Sequence, residues 1–359
     1  MKSPRINVLL PWTHNCGIMI YWLRIDKELK KYQKTNIIKN TSTASMNPFY
    51  FISLANKAKK CDLLHIQHNY NVFGSFLGKF NSTFAWLFYF LLKFPKGPKV
   101  ITTLHDIVEP KHLSLLKKIY LKFMNFPVNR FSDKIIVHEA NSENTLIRQG
   151  FDKNKIVRIP HGITDVEHLL SKTEARKRFN IPNKKTIMLY GWVKKIKQYE
   201  KVIDSLEYLD DVQVMILGNP LDEEYYEFLL NYVKEKNVED KVIFRQNVNT
   251  DAIFQWLRCA DIVVLPYSRI TASGALSDSI SAHLPIITSK IPEFAQYEKE
   301  WHVVKTADVD SPKKLADTIK NVLKNPHQLD KHLIKFIKHN NRDVIARRTK
   351  KLYEEVLNE

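Results

Sequence analysis

Residues 259 to 289, CADIVVLPYSRITASGALSDSISAHLPIITS, constrain the fold more than any other stretch of the chain. Ile262 to Leu265 form an unbroken aliphatic block closed by Pro266, and Leu284-Pro285-Ile286-Ile287 form a second one. Unbroken apolar runs of this length, as opposed to alternating ones, are the pattern of parallel strands covered on both faces. Between them, Thr271, Ala272, Ser273 and Gly274 are small enough for a ligand to approach the backbone. Ser273 suits the N-cap of a helix running from about Ala275 to His283. Free N–H groups and the helix dipole at that end make an anion site, placed at the carboxyl edge of a strand where open α/β sheets bind ligands. An ordinary strand, loop and helix with no ligand satisfies the same spacing.

The pattern repeats along the chain. Strands are expected at Arg5–Leu10, Leu63–Gln67, Val100–Leu104, Lys134–His138, Thr186–Tyr190, Val212–Gly218 and Lys241–Phe244, with helical segments between them. Such alternation argues for an α/β protein with parallel sheets. A chain of 359 residues holds two domains of ordinary size. Pro160 and Gly162 punctuate the boundary, which gives domains at 1–165 and 166–340 and a final helix at 341–359.

Composition narrows the function classes. Hydrophobic content of 44% with 26% charged residues describes a globular protein without disordered tracts. A formal net charge of +18 calls for an anionic partner or surface, either nucleic acid or an anionic membrane. Basic runs occur at Lys27–Lys34, Lys57–Lys60, Lys117–Lys122 and around Arg347–Lys351, each of which also reads as a solvated helix face. No aromatic-and-basic module favours nucleic acid. Cys16, Cys61 and Cys259 show no metal-ligand spacing and are expected as free thiols in a reducing cytoplasm. The N-terminus lacks a signal-peptide pattern. The longest apolar stretch, Phe84 to Leu92, is far short of the ~20 residues that span a bilayer. It is aromatic, flanked by lysines, and fits either a helix packed on the sheet or one lying in a membrane interface.

The 259–289 run resembles the donor-binding segment of the retaining glycosyltransferases of family 4. The resemblance implies a GT-B fold, in which two Rossmann-like domains with parallel sheets face a central cleft. It implies a nucleotide diphosphate sugar as co-substrate, no other cofactor and no strict metal requirement. Aligned on Leu284-Pro285-Ile286-Ile287, the second of the family's two glutamates falls on Asp278, expected at the ribose, and the first on Ile270, which cannot make the carboxylate contact. Thr271, Ser273, Gly274 and Ala275 match a variant Ser-Gly turn. Lys197 takes the place of the family's pyrophosphate-binding lysine, Lys194 that of an arginine some members carry, and Trp192 replaces the usual arginine. Gly17 alone remains of the paired glycines in the first loop, and Arg245 and Asn247 stand where members contact the base.

DLLHIQHNYN, residues 62 to 71, and VITTLHD, residues 100 to 106, are similar to two first-domain segments of the same family. The second places His105 at the donor sugar as the catalytic residue, where a histidine can donate a hydrogen bond and stabilise developing charge. His68 and Tyr70 are expected on the acceptor side. The implied activity is retaining transfer of a hexosyl or related group to a glycan or lipid-linked acceptor, in cell-surface polysaccharide or glycoconjugate synthesis. The implied location is cytoplasmic, at the inner membrane face. The alternative is a non-catalytic GT-B-like chain that binds a polyanion or a partner protein.

Overall fold

The computed structural model describes every residue except 1–2, 14–15, 77–79, Asp165, Glu167, 249–251, Thr271 and Ala272, and omits the side chains of 75, 76, 80, 81 and 112. The chain forms two compact units, one made of Met1–Gly162 with Arg342–Glu359 and the other of Ile163–Asn341.

The first unit contains strands β1 (Ile6–Pro11), β2 (Thr35–Asn40), β3 (Leu63–His68), β4 (Ser75–Phe76), β5 (Phe80–Asn81), β6 (Lys99–Leu104), β7 (Lys134–Val137) and β8 (Ile156–Arg158). Six of them form a parallel sheet in the order β2-β1-β3-β6-β7-β8, and β4 and β5 pair antiparallel beside it. The order runs outward in both directions from β1 and β3, so their carboxyl ends frame a topological switch point. Alternate side chains enter different cores. Leu9, Leu64 and Ile66 join Phe51, Phe73 and Phe88 on one face, whereas Val8, Leu10 and Leu63 join Trp22, Ile25 and Tyr353 on the other. Tyr353 belongs to the helix Arg342–Asn358, whose buried Ile345, Leu352, Tyr353 and Val356 complete that second core.

Two departures from sequence expectation have plain causes. TNIIKN in β2 carries polar residues at an edge position and gives little strand signal. The second is the helix Leu115–Phe131, which runs on through Pro127, a residue that ordinarily ends one. Proline removes the N–H that the Phe123 carbonyl would otherwise accept. Trp86 Nε1 supplies the replacement, donating to Phe123 O at 2.9 Å. Trp86 stands on the helix Ala85–Lys93, which buries Ala85, Phe88, Tyr89 and Leu92; the aromatic run is therefore a helix packed on the sheet.

The second unit contains β9 (Lys185–Tyr190), β10 (Val212–Leu217), β11 (Val242–Arg245), β12 (Ile262–Leu265), β13 (Ile286–Ser289) and β14 (Lys305–Ala307). All six are parallel, in the order β11-β10-β9-β12-β13-β14, which is the doubly wound dinucleotide-fold order with its switch point between β9 and β12. At the amino edge a buried ion pair locks β9 to β12. Arg176 Nη2 lies 2.7 Å from Asp261 Oδ2, and the same oxygen accepts from Thr186 N at 2.7 Å.

Candidate functional site

In the second unit the strand ends converge on one niche at the carboxyl edge. β9 ends at Tyr190, and Gly191 follows with φ +108°, a conformation that glycine adopts without strain. A Cβ on Gly191 would lie 3.3 Å from Lys197 Nζ and 3.7 Å from the Ala275 Cβ. The missing side chain thus leaves the backbone open between a lysine and a helix start. That helix is Gly274–Ser281, and Ser273 caps it by accepting from Leu276 N at 3.0 Å. The helix itself offers no acceptor to the N–H groups of Gly274 and Ala275, and nothing stands within 4 Å of a Cβ built on Gly274. Open space, a helix N-terminus and a lysine together suit an anion.

Lys197 is held there by aromatic residues. Its Nζ donates to the Tyr267 hydroxyl and lies 3.7 Å from the centroid of that ring. Tyr267 donates onward to the Tyr190 carbonyl at 3.2 Å, and the Tyr190 hydroxyl donates to Asp278 Oδ2 at 3.1 Å. Burial, with the neighbouring Lys194 charge, drives the Lys197 pKa well below its ordinary value. Burial likewise raises that of Tyr267. The niche therefore holds a poorly solvated amine whose protonated form a bound anion would favour.

The strand β10 closes the niche from below. Gly218, at φ +154°, approaches so closely that a Cβ there would lie 2.1 Å from the Gly191 carbonyl oxygen. Its N–H donates to Arg245 O at 2.9 Å, and Asn247 N donates to Asn219 Oδ1 at 2.6 Å. Arg245, which ends β11, and Asn247, which follows it, therefore sit at the same carboxyl edge of the sheet as Lys197, two strands away from β9. Thr271 lies outside the described residues. Ile270 packs partly buried against the core of this unit, where a carboxylate would have no such place.

The first unit carries a cluster of imidazoles at the carboxyl end of its sheet. His105 follows β6, and its backbone N–H donates to His68 O at 3.0 Å. Its Nε2 lies 2.8 Å from Gln67 Oε1, Gln67 Nε2 lies 3.1 Å from His65 Nε2, and His65 Nδ1 lies 2.7 Å from the Tyr353 hydroxyl. In this orientation of the Gln67 amide, His105 carries its proton on Nε2. With that tautomer no described residue pairs with its Nδ1, and the ring presents an acceptor there. Tyr21 and His138 pack against it at centroid distances of 5.3 Å each, and His161 packs on Tyr21 at 4.4 Å. Burial holds His65 at about 3 and His138 at about 4, and burial with the neighbouring imidazoles pushes His105 well below its ordinary value. The ring is neutral at physiological pH.

His68 and Tyr70 do not occupy an acceptor-facing surface. His68 is the last residue of β3, at its carboxyl end, 1% exposed, with Nδ1 3.2 Å from the Tyr89 hydroxyl. Tyr70 is 8% exposed and donates to Asn125 Oδ1 at 2.8 Å. Both side chains are buried within the first unit. Gly17 opens the helix Gly17–Leu29 and leaves space around its Cα. Sequence reasoning missed Tyr190, Tyr267, Gln67, Tyr21 and His138. Each is an aromatic or polar residue at the carboxyl end of a strand or beside it, a position that carries the signal even where the residue type reads as core.

A family model for glycosyl transferases group 1 matches residues 171–340, and one for glycosyltransferase family 4 matches residues 40–166. Among curated proteins, none matches the sequence. The structure of Anabaena HepE in complex with UDP-glucose is similar over 98% of this chain and 100% of its own, at 14% identity and a TM-score of 0.80. A glycosyltransferase from Rickettsia africae is similar over 99% of both chains, at 16% identity and a TM-score of 0.79. WaaG, a glycosyltransferase involved in lipopolysaccharide biosynthesis, is similar over 97% of this chain and 99% of its own, at 13% identity and a TM-score of 0.71. All three share the fold of both units.

Proposed function

We propose the following reaction for this chain, which belongs to the family 4-like glycosyltransferases of the GT-B fold: transfer of a hexosyl or related group from a nucleoside diphosphate sugar to a glycan or lipid-linked acceptor, with retention at the anomeric carbon. The product belongs to a cell-surface polysaccharide or glycoconjugate, and the acceptor is met at an anionic membrane surface. The contact proposed is a peripheral one, and no helix among the described residues is long and apolar enough to cross a membrane.

The observation that carries this reading is the niche around Gly191, where a lysine and a free helix N-terminus meet on open backbone. The departing diphosphate takes its charge compensation from Lys194, Lys197 and the N–H groups of Gly274 and Ala275, cations and dipoles that leave no role requiring a divalent metal. Asp278, oriented by Tyr190, accepts from the ribose hydroxyls, and Arg245 and Asn247 take the base. His105 accepts a sugar hydroxyl at Nδ1, and Gln67 fixes its tautomer. With Ile270 in place of a carboxylate, the sugar is held by neutral groups and backbone around the Ser273–Gly274 turn.

The test is a panel of nucleoside diphosphate sugars incubated with the protein and membrane lipid extract, following nucleotide release and labelled lipid. One donor should support transfer, with retention seen by NMR of the product, insensitivity to EDTA, and a loss of at least 100-fold in His105→Ala. Absence of both turnover and donor binding across the panel would overturn the reading in favour of a non-catalytic polyanion-binding chain.

A further inference from the structure

The helix Leu115–Phe131 has a face that nothing in its own unit covers. Leu115, Leu116, Ile119, Phe123 and Phe126 are 73%, 79%, 56%, 47% and 48% exposed. At about 100° per residue these five fall within one arc of roughly 100°, opposite the buried Leu121, Met124 and Val128. The apolar surface continues onto the neighbouring helix Ala85–Lys93. Trp86 stacks on Phe126 at 4.7 Å and 12°, and Phe90 and Phe94, one and two turns on, are 47% and 63% exposed. Isolated exposed hydrophobics need no explanation, but a contiguous patch of large ones marks an interaction surface.

Charge identifies the occupant. LLKKIYLKFMNFPVNRF contains no acidic residue. Lys118 and Lys122 line one flank of the apolar arc and Arg130 stands within it at the last turn, whereas Lys117 lies on the opposite side at the first turn; all four are exposed. No ion pair engages Lys117, Lys118 or Lys122 among the described residues. Protein interfaces are depleted of lysine at their centres. Nucleic-acid surfaces use stacking aromatics and Arg, not Leu, Leu and Ile. Large aliphatic side chains flanked by unpaired lysines match an interface where hydrocarbon lies beneath anionic headgroups and lysine stems snorkel upward.

We infer that this chain docks on an anionic bilayer through the face of helix Leu115–Phe131 and its Trp86–Phe94 neighbour. The sequence had suggested the Phe84–Leu92 helix as the membrane element, and the structure moves most of that role one helix along the chain. The inference deepens the membrane contact proposed above, by naming its surface, and needs neither donor nor acceptor. Its failure would leave the transfer reaction standing, and failure of transfer would leave it untouched.

The experiment is vesicle flotation of the full chain with phosphatidylcholine containing 30 mol% phosphatidylglycerol (roughly the anionic range of the mechanism) against phosphatidylcholine alone. The protein should float with anionic vesicles only, and release as salt is raised. Leu115→Ser, Leu116→Ser and Ile119→Ser combined should weaken binding by about tenfold or more. Lys118→Gln and Lys122→Gln combined should weaken it about 25-fold, at about fivefold per lysine. Unchanged melting curves, expected for exposed sites, would separate lost docking from lost folding. Equal flotation with neutral vesicles, no flotation at all, or undiminished flotation of both combined variants would overturn the inference. So would a dimer in light scattering that the serine variant abolishes without any vesicle binding, since a second copy would then own the face.

Discussion

The imidazoles buried in the first unit make that unit selectively sensitive to acid. His65, His68 and His138 are 1%, 1% and 5% exposed. Burial holds their pKa values at about 3, 3 and 4. In the unfolded chain each returns to about 6.5. The sign follows from proton counts. Below pH 6.5 the unfolded chain binds protons that the folded one refuses, so stability is full above pH 6.5 and declines as pH falls towards the folded values. At pH 5 each histidine costs about 2 kcal/mol and the three together about 6 kcal/mol, against a typical net stability of about 5–15 kcal/mol. Asp261 and Glu298, held below their usual ranges by hydrogen bonds and cations despite burial, stay ionised at that pH and do not blur the comparison. No histidine of the second unit is buried among its described residues. Hydrogen exchange read by mass spectrometry, corrected for intrinsic rates at pH 7 and pH 5, should therefore show protection falling steeply in β3, β6 and β7 and little in β9, β10 and β12. Protection that is unchanged in the first unit, or that falls equally in both, would refute the reasoning.

Three further outcomes follow from the site. Lys197→Met should weaken nucleoside diphosphate binding by tenfold or more in calorimetry; in the unaltered protein affinity should rise as pH falls through the lowered range of the Lys197 amine, because the bound anion favours its protonated form, and the variant should lose that dependence. Gly218→Ala places a methyl group 2.1 Å from the Gly191 oxygen at φ +154° and should cost about 3 kcal/mol or more, seen as a lower midpoint in urea unfolding. Gln67→Leu removes the acceptor that fixes the His105 proton on Nε2, so it should lower kcat about tenfold or more while the donor KM stays within a few-fold; an equal rise in KM would assign Gln67 to packing alone.

How much of this was legible in the sequence depended on whether a residue's meaning is local. The aliphatic blocks of β9, β10, β12 and β13 announced a parallel sheet because burial on both faces leaves an unbroken apolar run. Ser273 and Gly274 were readable because an N-cap and a small-residue turn act within three residues of chain. Tyr190 and Tyr267 were not, since an aromatic residue ending an aliphatic strand looks like core until its hydroxyl is seen to reach Asp278 or Lys197. The burial of His68 and Tyr70 was hidden for the converse reason: a polar aromatic loop reads as exposed, but Phe73, Tyr89 and Asn125 close over it. Tyr353 lay hidden in a charged terminal helix, 288 positions from the His65 it touches, and no pattern within either segment joins them.

That long-range pair carries a consequence for biosynthesis. The first unit to emerge from a ribosome is also the last to be finished, because Ile345, Leu352, Tyr353 and Val356 are translated only after the whole of Ile163–Asn341. At roughly 5–20 residues per second the core around Trp22 waits about 10–35 s for its covering helix. The second unit, continuous in the chain, waits for nothing. Vectorial translation and the completion of folding thus run in opposite orders, and a chain arrested at Asn341 should present a protease-resistant second unit joined to a protease-sensitive first one.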